Sequence, residues 1–385
     1  MTISQSLSVS GCSERQFQLL LKKPGGSSAR LLRSESHAFN CQRKQGRLHA
    51  FPFASRMLGY DIYAYGRMVR DRIRTDAYVE ALRESVGPNS VVLDIGTGVG
   101  IWALLACKFG ARKVYAVDPN DAIQVARQLA AVNGYADRIE FIQDLSTRIT
   151  LPEKADVLVT DMHGIVPMFE QHLPSMIDAR RRLLAPGGKM IPKGETLWAA
   201  PVAAPKCYEQ VIHPWDDNAY DLDWGPARHV AANDWFGVKQ ELTTADFFAE
   251  GKSWATIEYE TLASPNVSGD LRWTATRSGT CHGLVVWFDT QLTADISFSN
   301  APGRPKTIFG QAFFPWSEPV SLSTNDTIST ALRCDLVDNF HLWRWQTTVH
   351  SQGNTQEVKA DFKQSNFFGM PLEQRTARRA REFGQ

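Results

Sequence analysis

The sequence predicts an α/β domain built on a parallel sheet, followed by a domain of antiparallel β structure. Three observations carry that prediction. Short apolar runs rich in Val and Ile, "SVVLDIG" (90–96), "KVYAVD" (113–118), "RIEFIQ" (138–143) and "ADVLVTD" (155–161), alternate with the helical patterns "IWALLACKFG", "DAIQVARQLAAVNG" and "LPSMIDARRRLLA". Such alternation reads as βαβ units whose sheet is covered on both faces. The first run leads straight into a glycine loop, "GTGVG" (96–100), and then a helix. After residue 200 the composition shifts: Trp, Phe and Thr rise, and "GLVVWFDTQL", "ISTALRCDL" and "HLWRWQTTV" alternate apolar and polar. That period of two is the mark of antiparallel strands in a sandwich or barrel.

In chain order, residues 1–50 are rich in Ser, Gly, Arg, Lys and Gln and read as a poorly packed extension, with "KKPGGSS" a turn or linker. Residues 51–88 form a helical segment in which Met68, Ile73, Ala77, Val79 and Leu82 supply a buried stripe among charges. Residues 89–200 make the α/β domain, and "APGG" (185–188) closes its last helix and starts a hairpin-like return. Residues 201–385 make the β domain. Its tail, "EQRTARRAREFG", is basic and reads as a solvated surface helix.

The totals narrow the function classes. A chain of 385 residues, 43% hydrophobic and 22% charged, can bury the cores of two or three domains. Its formal net charge of +1 gives no global attraction to nucleic acid or to membrane. The six cysteines show no CxxC spacing, so neither a metal site nor a disulfide framework is expected. No apolar run reaches the length of a membrane span, and the N-terminal stretch lacks the apolar centre of a signal peptide. The expectation is a cytoplasmic protein, in which the sequons at Asn266 and Asn325 carry no meaning.

Spacing in the glycine loop selects its ligand. Gly96, Gly98 and Gly100 permit a tight turn and close approach to the backbone. A dinucleotide fingerprint places its third glycine or alanine where this chain has Ile101, which disfavours NAD. GxGxG preceded by Asp94 instead suits S-adenosylmethionine (SAM), which has no phosphate to cradle. Asp118, at the end of the second strand, can accept hydrogen bonds from both ribose hydroxyls.

The run "VVLDIGTGVGIWALLACKFGARKVYAVD" resembles the class I SAM-dependent methyltransferases, and further stretches resemble the protein arginine methyltransferases. These are "MVRDRIRT" (68–75), the loop "TDMHGIVPMFE" (160–170), "IDARRRLLAPGGKMIPKGETLW" (177–198), and "HGLVVWFDTQL" followed by "GQAFFPWSEPV" (282–320). The resemblance implies a Rossmann-like SAM-binding domain and an antiparallel β-barrel-like domain. It implies that Asp161 and Glu170 grip a guanidinium, whose planar fork of donors suits two carboxylates. Arg74 would pair with the carboxylate of SAM, beside Met68 and Asp94. Asp71 would be a proton acceptor or orienting group near the acids. Asp144 or Thr147 would border the adenine. Residues 208–224 stand where the family inserts a dimerisation arm, which implies a homodimer.

The chain also departs from the family. Asp161 stands where Glu is usual, which shortens the reach by about 1.5 Å. Thr307, Ile308 and Phe309 replace a Thr-His-Trp loop, so Ile308 cannot relay a proton or orient Asp71. Tyr65 lies where the family often has His. His163, inside the acid loop, is a candidate base in place of the missing His, and its alternative, the commoner reading, is a surface or packing histidine. Phe313, Phe314 and Trp316 read as β-domain core. The expected acceptor is therefore an arginine of a protein or peptide. The alternatives are a small guanidino or amine metabolite, and a catalytically silent SAM-binding scaffold.

Overall fold

The structure, a computed structural model, describes residues 60–216, 219–238, 241–352 and 357–369. The extension expected over residues 1–50 and the basic tail helix lie outside the described residues. Two helices come first, α1 (Ile62–Arg70) and α2 (Arg72–Ser85), with Asp71 alone between them. Asp71 ends α1 through its own N–H and caps α2 by accepting from the Arg74 N–H at 3.4 Å. Side-chain acceptors at this position satisfy N–H groups that a helix start leaves unpaired.

The buried face of α2 is Arg74, Thr75, Tyr78, Ala81 and Leu82, a row at helical spacing. This corrects the stripe read from the sequence, since Ile73 is exposed and Ala77 and Val79 are only half-buried. The helix is turned so that Arg74 and Thr75 reach inward to polar partners, which a hydrophobic pattern does not register.

The α/β domain follows as β1 (Val91–Ile95), α3 (Ile101–Lys108), β2 (Lys113–Val117), α4 (Ile123–Val132), β3 (Ile139–Ile142), β4 (Ala155–Thr160), α5 (His172–Arg182) and β5 (Leu184–Ile191). Its five strands are parallel, in the order β3-β2-β1-β4-β5. β1 is buried along its whole length, as a central strand covered on both faces must be. "APGG" starts no hairpin. It runs within β5, which pairs parallel to β4 with a register shift between Ala155 and Val157. The strand order reverses beside β1, so the crevice at the carboxyl ends of β1, β2 and β4 is where such sheets bind ligands.

The second domain contains β6 (Gly194–Val202), α6 (Pro205–Val211), α7 (Gly225–Ala232), β7 (Phe236–Gly237), β8 (Lys252–Glu258), β9 (Val267–Thr274), β10 (Gly279–Gln291), β11 (Ser297–Ser299), β12 (Ala312–Leu322), β13 (Thr327–Val337), β14 (Phe340–His350) and β15 (Val358–Ser365). Among the described residues these strands form two antiparallel sheets, not a closed barrel. One has the order β7-β12-β10-β6-β8, with β11 on β10; the other is β15-β14-β13-β9. Aromatic side chains join them. Phe314 of β12 meets Trp343 and Trp345 of β14 edge-on, at 5.1 and 5.2 Å between ring centres. Phe313, Phe314 and Trp316 are fully buried, as core residues should be.

Cys107, Cys281 and Cys334 are free thiols inside the molecule, and Cys207 is buried as well. Among the described residues, no helix is long and apolar enough to cross a membrane.

Candidate active site

The glycine loop follows β1 at the carboxyl end of the sheet. Gly96 and Gly98 hold φ of +75° and +52°, a conformation that L side chains rarely adopt. Space forbids a side chain as well: a Cβ on Gly96 would meet Met162, and one on Gly98 would meet the ring of Tyr65. The loop is thus flanked by α1 on one side and by the residue after Asp161 on the other.

Asp94 sits under the loop, fully buried. Its Oδ2 accepts from the Thr97 hydroxyl at 2.6 Å and the Ala103 N–H at 3.1 Å, while its Oδ1 has no partner. Burial raises its carboxyl from 3.8 to about 7, against the lowering effect of those two bonds. Asp118 holds the loop from β2, accepting from the Gly98 N–H at 2.7 Å on one oxygen and from the Asn120 N–H at 2.8 Å on the other. Its pKa is raised, chiefly by burial. Each Asp118 oxygen keeps a second lone pair for a further donor.

The two acids flank the loop that leaves β4. Arg74, 2% exposed, forms an ion pair with Asp161, donates to the Met68 carbonyl, and lies 5.5 Å from the Trp102 ring centre. Arg74 Nε and Asp161 Oδ1 are buried without partners. Burial lowers the Arg74 pKa, opposed by Tyr78 and Asp71. Glu170 is a non-glycine residue at φ of +43°. Its carboxyl is pushed up, first by partial burial and then by the charge of Asp118, although the residue as a whole is exposed. Asp71 Oδ2 accepts from the Ile308 N–H at 2.7 Å. The expectation that Ile308 could not orient this acid is thereby corrected, because its main chain does what its side chain cannot.

His163 is placed elsewhere than a base in the acid loop requires. Its Nε2 lies 2.6 Å from Glu195 Oε1, with both side chains fully buried. Its ring rests on Phe288 and Phe309, at 4.7 and 5.1 Å. Asp144 is half-buried and takes the Leu145 N–H at 2.7 Å, while Thr147 is exposed. Sequence reasoning missed Glu195, Tyr259 and His341. The last donates from Nε2 to the Glu170 carbonyl at 2.9 Å. All three sit on strands or turns of the β domain far away in sequence, where no local motif marks them.

These residues fit SAM by their chemistry. The unpartnered buried Oδ1 of Asp94 can accept from an ammonium, and Arg74 can bind a carboxylate. The spare lone pairs of Asp118 suit vicinal hydroxyls, and the glycine cradle is one that a Cβ would fill.

Comparison with known proteins matches both halves of the chain. Residues 74–194 match the family model for ribosomal protein L11 methyltransferase, and residues 194–341 match that for the arginine methyltransferase oligomerization subdomain. The chain is 30% identical over 277 residues to protein arginine N-methyltransferase 2 of Mus musculus, covering 68% of this chain and 61% of that protein. It is 26% identical over 327 residues to protein arginine N-methyltransferase 1 of Saccharomyces cerevisiae, covering 82% of this chain and 87% of that one. The chain therefore spans less than two thirds of the mouse relative. In structure it is similar to the Trypanosoma brucei PRMT1 enzyme-prozyme heterotetrameric complex with AdoHcy. That match has a TM-score of 0.69 at 22% identity, over 78% of this chain and 97% of the other, and shows the shared two-domain fold. With a parallel-sheet domain that ends in a glycine loop and a paired-acid loop, and an antiparallel domain of the matching type, the chain is a class I arginine methyltransferase-like protein.

Proposed function

We propose that this chain is a SAM-dependent N-methyltransferase acting on a terminal guanidino nitrogen of arginine in a protein or peptide. One observation carries the reading. The loop after β4 opens on Asp161, paired with Arg74, and lays Met162 against Gly96, which supports a paired-acid loop working beside the glycine loop. When bound, SAM supplies an electrophilic methyl on a sulfonium. Arg74 and Asp94 hold the amino-acid end of that donor, and Asp118 its ribose. Asp161 and Glu170 bind the acceptor guanidinium and leave one terminal nitrogen facing the methyl. Positioning of this kind, in a site that excludes water, supplies much of the acceleration. Glu170, whose carboxyl is already held above its ordinary range, suits acceptance of the proton that the nitrogen loses. Asp71, fixed by the Ile308 N–H and the start of α2, orients the neighbouring Arg74.

Arg74 grips Asp161 here, so a donor carboxylate that draws on Arg74 loosens Asp161 for the acceptor. Binding of donor before acceptor follows. The small side chain of Asp161 and its pairing with Arg74 also favour a second reading, in which the acceptor is a compact guanidino or amine metabolite. Homodimerisation through residues 208–224 and a cytoplasmic setting belong to the same proposal. The match to an oligomerization subdomain and the exposure of Trp215, Tyr220 and Leu222 support the former, and the buried free thiols suit the latter.

Incubation with methyl-labelled SAM and, separately, a protein extract or a metabolite pool tests the assignment. Label in arginine of the protein fraction is expected. Label only in the metabolite pool selects the second reading, and label in neither, with SAM still bound, overturns both.

A further inference from the structure

We infer that Glu195 is a positioning residue that fastens both ends of the acid-bearing loop to the β domain, and so fixes the placement of Asp161 and Glu170. The inference rests on the proposed function for what the two acids do. The fastening itself is read from geometry alone.

Glu195 lies on β6, 1% exposed, and is surrounded by donors. Its Oε1 accepts from His163 Nε2 at 2.6 Å and from the Tyr259 hydroxyl at 3.4 Å, and its Oε2 accepts from the Thr290 hydroxyl at 2.8 Å. Three donors thus meet its two oxygens. Tyr259, having given its proton to Glu195, accepts at its oxygen from His172 Nε2 at 2.8 Å. Burial, with His163 and His341 nearby, holds His172 well below its ordinary pKa, so its ring is neutral; with the Tyr259 proton on Glu195, the ring proton is assigned to Nε2.

His163 stands two residues after Asp161, and its N–H donates to the Asp161 carbonyl at 2.8 Å. His172 stands two residues after Glu170 and opens α5. One carboxylate thus holds the start of the loop directly and the end of it through Tyr259. Between these ties the loop closes on itself, since a Cβ on Gly164 would come within 2.6 Å of Phe169. The His341 contact to the Glu170 carbonyl adds a third tie from β14.

A buried polar network of this kind is a poor device for stability, because each atom it leaves unpaired costs free energy. Its bonds nonetheless select one arrangement of the loop, although Nδ1 of His163 and Nδ1 of His172 have no partner. The loop it specifies carries both acids, and an error of about 1 Å in their placement is enough to cost on the order of a hundredfold in rate.

Hydrogen exchange and steady-state kinetics on the full chain test this, comparing wild type with Glu195→Ala, Glu195→Gln and Tyr259→Phe. In Glu195→Ala, amides of residues 162–172 are expected to exchange at least tenfold faster while those of β1 and β4 hold. Its kcat should fall at least tenfold with donor affinity within threefold. Glu195→Gln keeps an acceptor for His163 and Tyr259, and should recover to within threefold of wild type. Tyr259→Phe cuts only the His172 branch, so its faster exchange should be confined to residues 169–172. Unchanged loop exchange in Glu195→Ala, or a uniform rise across the whole domain, overturns the inference. If Glu195→Ala does not fold, unchanged exchange at residues 169–172 in Tyr259→Phe overturns it. Absence of methyl transfer by the wild type would sink the proposed function, while the exchange measurements would still decide the role of Glu195.

Discussion

Removing Arg74 should harm the protein more than removing its partner, and removing both should cost less than the sum. The side chains of Arg74 and Asp161 are 3% and 11% exposed. Taking one partner from a buried ion pair leaves an unpaired charge, at about 3–5 kcal/mol. Arg74→Met strands Asp161, whose Oδ1 already lacks a partner. The slight exposure of Asp161 puts the cost near the lower end, about 3 kcal/mol. Asp161→Asn leaves Arg74 with the Met68 carbonyl and the face of Trp102, and should cost about 1 kcal/mol, the scale of one net hydrogen bond. The double variant strands no charge and should lose about 2 kcal/mol in all, a coupling of about 2 kcal/mol. Urea unfolding of the four proteins, followed by tryptophan fluorescence, measures this cycle. Losses that add to within about 0.5 kcal/mol would refute the pairing argument.

Three other outcomes follow from the same geometry. Glu170→Gln should lower methyl transfer about a hundredfold or more while leaving SAM affinity within threefold, since it removes a charge aimed at the acceptor; a turnover assay and calorimetry check each half. Gly98→Ala, at φ of +52° with its Cβ against Tyr65, should cost about 1 kcal/mol of stability and weaken SAM binding, both readable by calorimetry. The third concerns Asp94, whose folded pKa is raised from 3.8 to about 7. The folded state then holds a proton that the unfolded chain releases, so the contribution is complete below the unfolded value and is lost as pH rises through the folded one. Stability should fall between about pH 4 and pH 7 by up to about 4 kcal/mol from this group, and Asp94→Asn should flatten that slope in unfolding measurements across the range.

The parallel sheet was legible because its central strands, β1 and β4, are buried on both faces and read as largely apolar runs. The glycine loop was legible because only glycine serves at its dihedrals. Asp94, Asp118, Asp161 and Glu170 lie at strand ends or loops that the sequence itself marks. Closure of the second domain was not legible: alternation gives the strands, and where pairing stops depends on contacts between residues far apart, such as Phe314 with Trp343 and Trp345. The inward face of α2 was misread because its buried residues include an arginine and a threonine. His163 stayed open between a base and a packing residue because sequence shows only its neighbours along the chain. The partner that claims its ring, Glu195, arrives from β6.

The central claim is a donor seated on the glycine loop with two acids beside its reactive end. A crystal structure with S-adenosylhomocysteine tests it most directly. The account predicts ribose hydroxyls on Asp118, the amino-acid end between Arg74 and Asp94, and the sulfur facing the gap between the carboxylates of Asp161 and Glu170. A ligand bound away from the crevice, or carboxylates at 161 and 170 turned from the sulfur, would contradict it.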